Sequence, residues 1–261
     1  MKSAPTSRRW AKRDRPDALD LRTAFGAELR RILERAVRHP DHQDIHAVRK
    51  GVIQLRSWLR LVRETMGRHR YDAHNRRLRR ISRRLAPVRD DRGMFKALAT
   101  ISSANAFPNM RRHLLRRERR AEKMAGTAMR QVKRGLEREL AACDRLRPGK
   151  IPRADFTAAL ARLRAEMNAA LAAARAAGST ELLHTWRKRV KNYQHALAFV
   201  AGAANRGGSS AIRLRRLLGQ DHDLALLKAE LADRADNPET PALLALIAAR
   251  RARLRTQLFP Q

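Results

Sequence analysis

Apolar residues recur three and four positions apart over most of this chain, the spacing that lines one face of an α-helix. Leu21, Phe25, Leu29, Ile32, Leu33 and Ala36 form such a seam over about Asp17 to Val37. After the polar connection HPDHQD a second helix carries Val48, Val52, Leu55, Leu59 and Val62 on one side. Leu78, Ile81 and Leu85 mark a very basic helix, about Tyr71 to Leu85. Beyond PVRDDRG a fourth runs from about Met94, and Pro108, a residue favoured at the first helical position, opens a fifth reaching about Leu146. RPGKIP, 147–152, is the best boundary between halves. Next comes a helix from Arg153 to Ala177 bearing Phe156, Leu160, Leu163, Met167 and Leu171. Gly178-Ser179-Thr180 separates it from one carrying Trp186, Val190, Tyr193, Leu197 and Val200. NRGGSS (205–210) introduces a short basic helix ending in RRLLGQDHD; another starts near Leu224, and a last one runs from Ala242 to Leu258. Runs of β-branched residues are absent, and Gly and Pro gather at the breaks, so an all-α fold is expected.

The order of elements repeats, and so does the polar side of one helix. His46, Arg49 and Lys50 recur as His184, Arg187 and Lys188, with the same +3 and +4 spacing. At 100° per residue the three project from one face, opposite the apolar seam. Further on, Leu85-Ala-Pro-Val-Arg89-Asp90 aligns with Leu218-Gly-Gln-Asp-His222-Asp223, which pairs Arg80 and Arg83 with Arg213 and Arg216. Each half thus has a His-bearing helix, a basic helix, and an Asp-ended turn into another helix. The pattern divides residues 17–259 into a first repeat of about 17–146 and a second of about 153–259, behind a flexible basic arm of residues 1–16.

Charge turns this duplication into a functional expectation. The 261 residues hold 59 Lys+Arg against 25 Asp+Glu, a formal net charge of +34. Such an excess attracts polyanions at long range and opposes compaction. Hydrophobic residues make up 43 % and fall periodically, so a packed core is expected rather than a disordered basic tail. The single cysteine, Cys143, excludes an intramolecular disulfide and a cysteine-based zinc site. No apolar run approaches membrane-spanning length and no signal peptide is evident, which makes the cytoplasm the default location.

With both repeats in the right order, the His-x-x-Arg-Lys helices and the later Leu-(Gly/Ala)-x-x-(Arg/His)-Asp turns resemble the CHAD domain family, the conserved histidine α-helical domains. The resemblance covers roughly residues 17–259. It implies a helical bundle of two pseudo-symmetric four-helix halves around a basic central groove or pore that binds inorganic polyphosphate. It further implies a non-catalytic role and association with polyphosphate granules. The residues it assigns to the ligand are His46, Arg49, Lys50, Arg56, His184, Arg187, Lys188 and Lys191. Arg60 lies on the same face, and the basic helices add Arg76, Arg79, Arg80, Arg83, Arg213 and Arg216 as an opposing wall. Ile53 and Gln194 depart from the family's basic positions at +7 and +10 and are left out. The chemistry suits the ligand. A polyphosphate offers only repeated anionic oxygens, which Arg can bind with a planar fork and Lys with a mobile point charge.

Three other readings compete. A nucleic acid is also a polyanion and would bind adventitiously at low salt, but aromatics are only 4 % and Trp186 and Tyr193 face the presumed core. An enzyme lacks support: Glu137-Arg-Glu139-Leu-Ala141 misses the lysine of the related tunnel hydrolases' motif, and there is no P-loop and no His-Glu-x-x-His. His39, Asp41, His42 and His46 have metal-like spacing but fall in a loop leading into a helix, so no metal and no cofactor is expected. A membrane-surface role would need the apolar seams that the bundle itself requires. Arg89-Asp90 and His222-Asp223 read as turn and cap residues.

Overall fold

The computed structural model describes residues 18–37, 42–143, 150–201 and 209–260. The basic arm, residues 147–149 of the 147–152 break, and His39 and Asp41 lie outside the described residues, as does the side chain of His42. Helices dominate: α1 (Leu21–Val37), α2 (His42–Leu61), α3 (Arg63–Met66), α4 (Arg68–Arg84), α5 (Ala86–Ile101), α6 (Pro108–Cys143), α7 (Arg153–Ala177), α8 (Thr180–Ala201), α9 (Ser209–Ala232) and α10 (Thr240–Leu258). Two three-residue strands, β1 (Ala18–Asp20) and β2 (Lys150–Pro152), pair antiparallel with Leu19 opposite Ile151.

Local chemistry sets the element ends. The first helix, expected from Asp17, begins at Leu21 instead. Asp20 accepts hydrogen bonds from the Thr23 amide (3.0 Å) and the Thr23 hydroxyl (2.7 Å), an N-cap that stops the helix from extending backwards. The two bonds from Thr23 also hold the Asp20 carboxyl below its ordinary pKa. Gly178 ends α7 in the left-handed region (φ 58°), and its amide donates to Ala174 O at 2.9 Å. One residue later the Ser179 hydroxyl accepts from the Leu182 amide (3.1 Å) and starts α8. This two-residue connection folds α8 back along α7. At α6 the carboxylate of Glu239, from just before α10, accepts from the amides of Asn109 and Met110 (2.9 and 2.8 Å) and supplies partners that the helix start lacks.

The parallel between the two basic helices breaks at one residue. In the first, Pro87 has no amide hydrogen and its ring clashes with the preceding turn, so the chain divides into α4 and α5 around Leu85. The aligned residue of the second is Gln220, and α9 runs unbroken from Ser209 to Ala232. The short helix and the separate one expected from Leu224 are therefore a single helix, and His222 is a mid-helix residue rather than part of a turn.

Two buried clusters hold the bundle together. One joins α1, α2, α4, the later part of α6 and the start of α7, around Phe25, Leu29, Leu55, Leu59, Leu136 and Phe156. The other joins α5, the start of α6, the end of α7, α8, α9 and α10, around Leu98, Leu114, Trp186, Leu227 and Ile247. Helices α6, α7 and α8 pass through both, α8 with Ala196 in the first and Trp186 in the second. Direct packing of α2 on α8 supports the first cluster: Trp58 lies on Phe199 with ring centroids 4.6 Å apart, and the buried Ser57 hydroxyl, which donates to Ile53 O of its own helix at 3.0 Å, lies 3.4 Å from Asn192 Oδ1.

Candidate functional site

Because the apolar seams of α2 and α8 are turned into these clusters, their opposite faces border a cavity of about 1030 Å³. From α2 come His46, Arg49, Lys50, Ile53, Arg56 and Arg60, at offsets 0, 3, 4, 7, 10 and 14, a single stripe along almost four turns. The matching stripe on α8 includes His184, Arg187, Lys188, Lys191 and His195. Arg79 and Ser82 from α4, Asp90 from α5, and Arg215 and His222 from α9 complete the wall. Among the described residues the lining thus has ten Lys and Arg side chains and four histidines against one carboxylate.

Neutral oxygens orient several of these cations. Arg49 Nη1 donates to Ser82 O (3.1 Å), Arg56 Nε to Asn75 Oδ1 (2.9 Å) and Arg60 Nη1 to Arg56 O (2.8 Å). Arg56 and Arg60 have no ion-pair partner among the described residues, and these neutral oxygens direct their charge, with Glu166 acting on Arg60 from farther off. Burial pushes Arg56 down to about 10, with the nearby charges of Arg60, Arg79 and Arg83 adding to the effect. Burial also lowers Arg60, with Arg189 adding its charge. Both guanidinium groups stay protonated at neutral pH. Burial, with Lys191, Arg215 and Lys50 around the ring, pushes His195 down to about 4, so that imidazole is neutral there. Burial is the largest cause of all three shifts and nearby cations add to it, and an anion placed in the cavity would oppose them.

His184 and His222 meet across the α8–α9 contact with Nδ1 atoms 3.2 Å apart and rings stacked at 4.6 Å between centroids. Such a bond needs one Nδ1–H and one bare Nδ1. Neither ring is a turn residue.

Of the fifteen residues expected at the ligand, His46, Arg49, Lys50, Arg56, Arg60, Arg79, His184, Arg187, Lys188 and Lys191 line the cavity. Arg76, Arg80, Arg83, Arg213 and Arg216 do not, and their side chains are exposed. On α9 the residue that faces inward is Arg215, between Arg213 and Arg216. The alignment of the basic helices pairs Arg215 with Ser82, and both line the cavity; a serine gives no signal in a search for basic residues. His195, at +11 from His184, was visible to the same spacing rule that selects +4 and +7. Gln194 serves the fold instead, since its Nε2 donates to Ala211 O (3.1 Å) and ties α8 to α9.

The carboxylates of Glu137 and Glu139 cannot act together. Two residues apart on α6, they point to nearly opposite sides. Glu139 is fully buried beside His74 and Arg77, while Glu137 is exposed near Lys133. Among the described residues no group of three His, Cys, Asp or Glu side chains is placed to hold a metal ion. Among them, too, no helix is long and apolar enough to cross a membrane.

A family model described as CHAD domain matches residues 23–232. Among solved structures the chain is similar to the crystal structure of the CHAD domain from the plant Ricinus communis, with a TM-score of 0.62 and 18 % sequence identity, over 94 % of this chain and 89 % of that one. At that identity the likeness is one of fold. No curated protein matches.

Proposed function

Since the chain belongs to the CHAD domain family, we propose that its cationic cavity binds inorganic polyphosphate and that the protein does so without catalysing a reaction on it. The observation that carries this reading is the cavity wall itself, with ten Lys and Arg and four His side chains and, among the described residues, Asp90 as its sole acid. The successive turns of α2 and α8 present Arg forks and Lys ammonium groups in two rows, which suits a linear chain of phosphates. No Phe, Tyr or Trp among the described residues lines the cavity. Trp58 and Trp186 are buried, against Phe199 and Phe259. Single-stranded nucleic acid would therefore find no stacking platform there. The opposed directions of Glu137 and Glu139 support a non-catalytic role. Retention on cytoplasmic polyphosphate granules follows as the expected location.

A competition titration tests the reading. Labelled long-chain polyphosphate is bound at about 150 mM salt, then displaced by unlabelled polyphosphate, RNA or duplex DNA. Displacement by polyphosphate at a far lower concentration of phosphate charge is the expected result. Equal displacement by all three would make the charge generic and move nucleic acid to the front.

A further inference from the structure

Helix α6 carries a second cationic row. Over its 36 residues, about 54 Å of helix, it turns Met110, Leu114, Ala121, Met129, Val132 and Leu136 into the two clusters. At 100° per residue, Arg112, Arg116, Arg119, Lys123, Arg130 and Arg134 fall on the side opposite this seam, and all six are exposed. None of them is in an ion pair among the described residues. Arg112 and Arg130 have only neutral partners, Asn109 and Thr127. Of the acids of α6, Glu139 is buried with His74 and Arg77, Glu118 falls on the seam side, Glu122 on the flank of the row, and Glu137 one turn beyond Arg134, near Lys133. Like charges four apart, as in Arg112/Arg116, Arg119/Lys123 and Arg130/Arg134, destabilise a helix. The row is therefore an unfavourable arrangement for the bare helix, repeated over about 33 Å. No described residue of α6 lines the cavity.

We propose that this outer face of α6 is a second polyphosphate-binding surface, separate from the cavity, so that one copy of the chain bridges two segments of polyanion. The proposal rests on the cavity reading for one of the two contacts. Its own support is the row: single file, six cations over about six turns with one gap between Lys123 and Arg130, and free of aromatic side chains, it matches a flexible linear phosphate chain. A bivalent protein cross-links long chains, whereas a protein with one site only coats them.

The test uses the full-length protein, a variant with Arg116, Arg119, Lys123, Arg130 and Arg134 all changed to Gln, and two ligands. Gln is a good helix former at exposed positions, and circular dichroism checks that helicity is unchanged. Binding of a short labelled polyphosphate, followed by anisotropy, reports the cavity. Light scattering on mixing with long-chain polyphosphate reports bridging. The expected result is short-chain affinity within about twofold of wild type and an onset of scattering at least tenfold higher in protein concentration. Scattering equal to wild type would overturn the second surface, and so would wild-type scattering with duplex DNA or anionic vesicles but not with polyphosphate. An equal loss of short-chain binding in the variant would also overturn it, in favour of one diffuse field. Failure of wild type to bind the short chain, while the variant still loses long-chain scattering, would sink the cavity reading and leave the α6 surface standing.

Discussion

Where α4 packs on α6, the fully buried Glu139 engages His74 Nδ1 and Arg77 Nε, each at 2.5 Å. Where α6 meets α5 and α9, Glu230 engages His113 (2.7 Å) and Arg117 (2.6 Å), and Arg117 also donates to Asp91 (2.9 Å). Asp221 and Arg251 tie α9 to α10 in the same way. The cavity wall has the same residue types with the opposite balance, ten Lys and Arg and four His side chains with Asp90 as the acid among its described lining residues. In the paired clusters a long side chain joins two helices at fixed geometry. Burial alone would raise the Glu230 carboxyl, but the bond from His113 and the charge of Arg117 hold it below its ordinary value. In the cavity, burial and like charge push His195, Arg56 and Arg60 towards losing their protons. The difference teaches that this protein neutralises a cation where the cation builds the fold. At the cavity wall cations outnumber acids instead, although Arg189 there still pairs with Glu166.

The strongest way to break the comparison is to remove an acid from a paired cluster. Glu139→Gln leaves Arg77 and His74 facing a neutral group and is expected to destabilise the protein by about 3–5 kcal/mol. Denaturant unfolding measures this, and polyphosphate affinity well below the melting temperature should be unchanged. A stability loss under about 1 kcal/mol would show that the cluster is not structural.

Charge reversal in the cavity should do the converse. Lys50→Glu with Lys188→Glu, both exposed and lining the cavity, is expected to weaken polyphosphate binding roughly 30-fold or more. Melting should be unchanged or raised, because repulsion in the wall falls. A large drop in melting temperature would mean that these lysines serve the fold. They make a cleaner test than Arg187, which is buried, or Arg49, which holds the Ser82 carbonyl.

Acidification sharpens the contrast. His195 lies at about 4 in the folded chain and near the ordinary 6.5 when unfolded. Its contribution is complete above 6.5 and is lost as pH falls through 6.5 towards 4, since the unfolded chain takes up the proton first. The ligand-free melting temperature should fall between about pH 7 and 5, less so in His195→Gln, and saturating polyphosphate should reduce the fall. An identical pH profile in the variant would remove His195 from the account.

The smallest effect is expected at the surface. Glu137 and Lys133, both nearly half exposed, are 3.9 Å apart. Glu137→Gln should change stability by less than about 0.5 kcal/mol by thermal melting. A larger loss would show that pairing matters on this protein's surface as it does in its interior.

Much of the site was legible because it lies along single helices. Val48, Val52, Leu55 and Leu59 are all fully buried, and the stripe from His46 to Arg60 borders the cavity opposite them. The helix period fixes both faces at once, so one seam locates the other. Legibility fell where a side chain's direction depended on whether the helix continued. The second basic segment reads as a short helix ending in RRLLGQDHD, but without a proline it continues, and His222 turns inward against His184. A single position separates Arg215 from Arg216 and rotates the side chain by 100°. A count of basic residues does not make that distinction.

By itself, then, the sequence determined most of the helices, their buried seams, the duplicated cationic stripes and the net charge of +34. Periodicity and net charge are written locally or summed over the chain. Only the tertiary structure decided which charges are neutralised. Glu139 meets its His 65 positions away, and Glu230 meets His113 across 117. The walls of the cavity come from α2, α4, α5, α8 and α9 together. A cation's fate depends on whether a distant acid is brought within a few ångströms of it, and no local pattern carries that information.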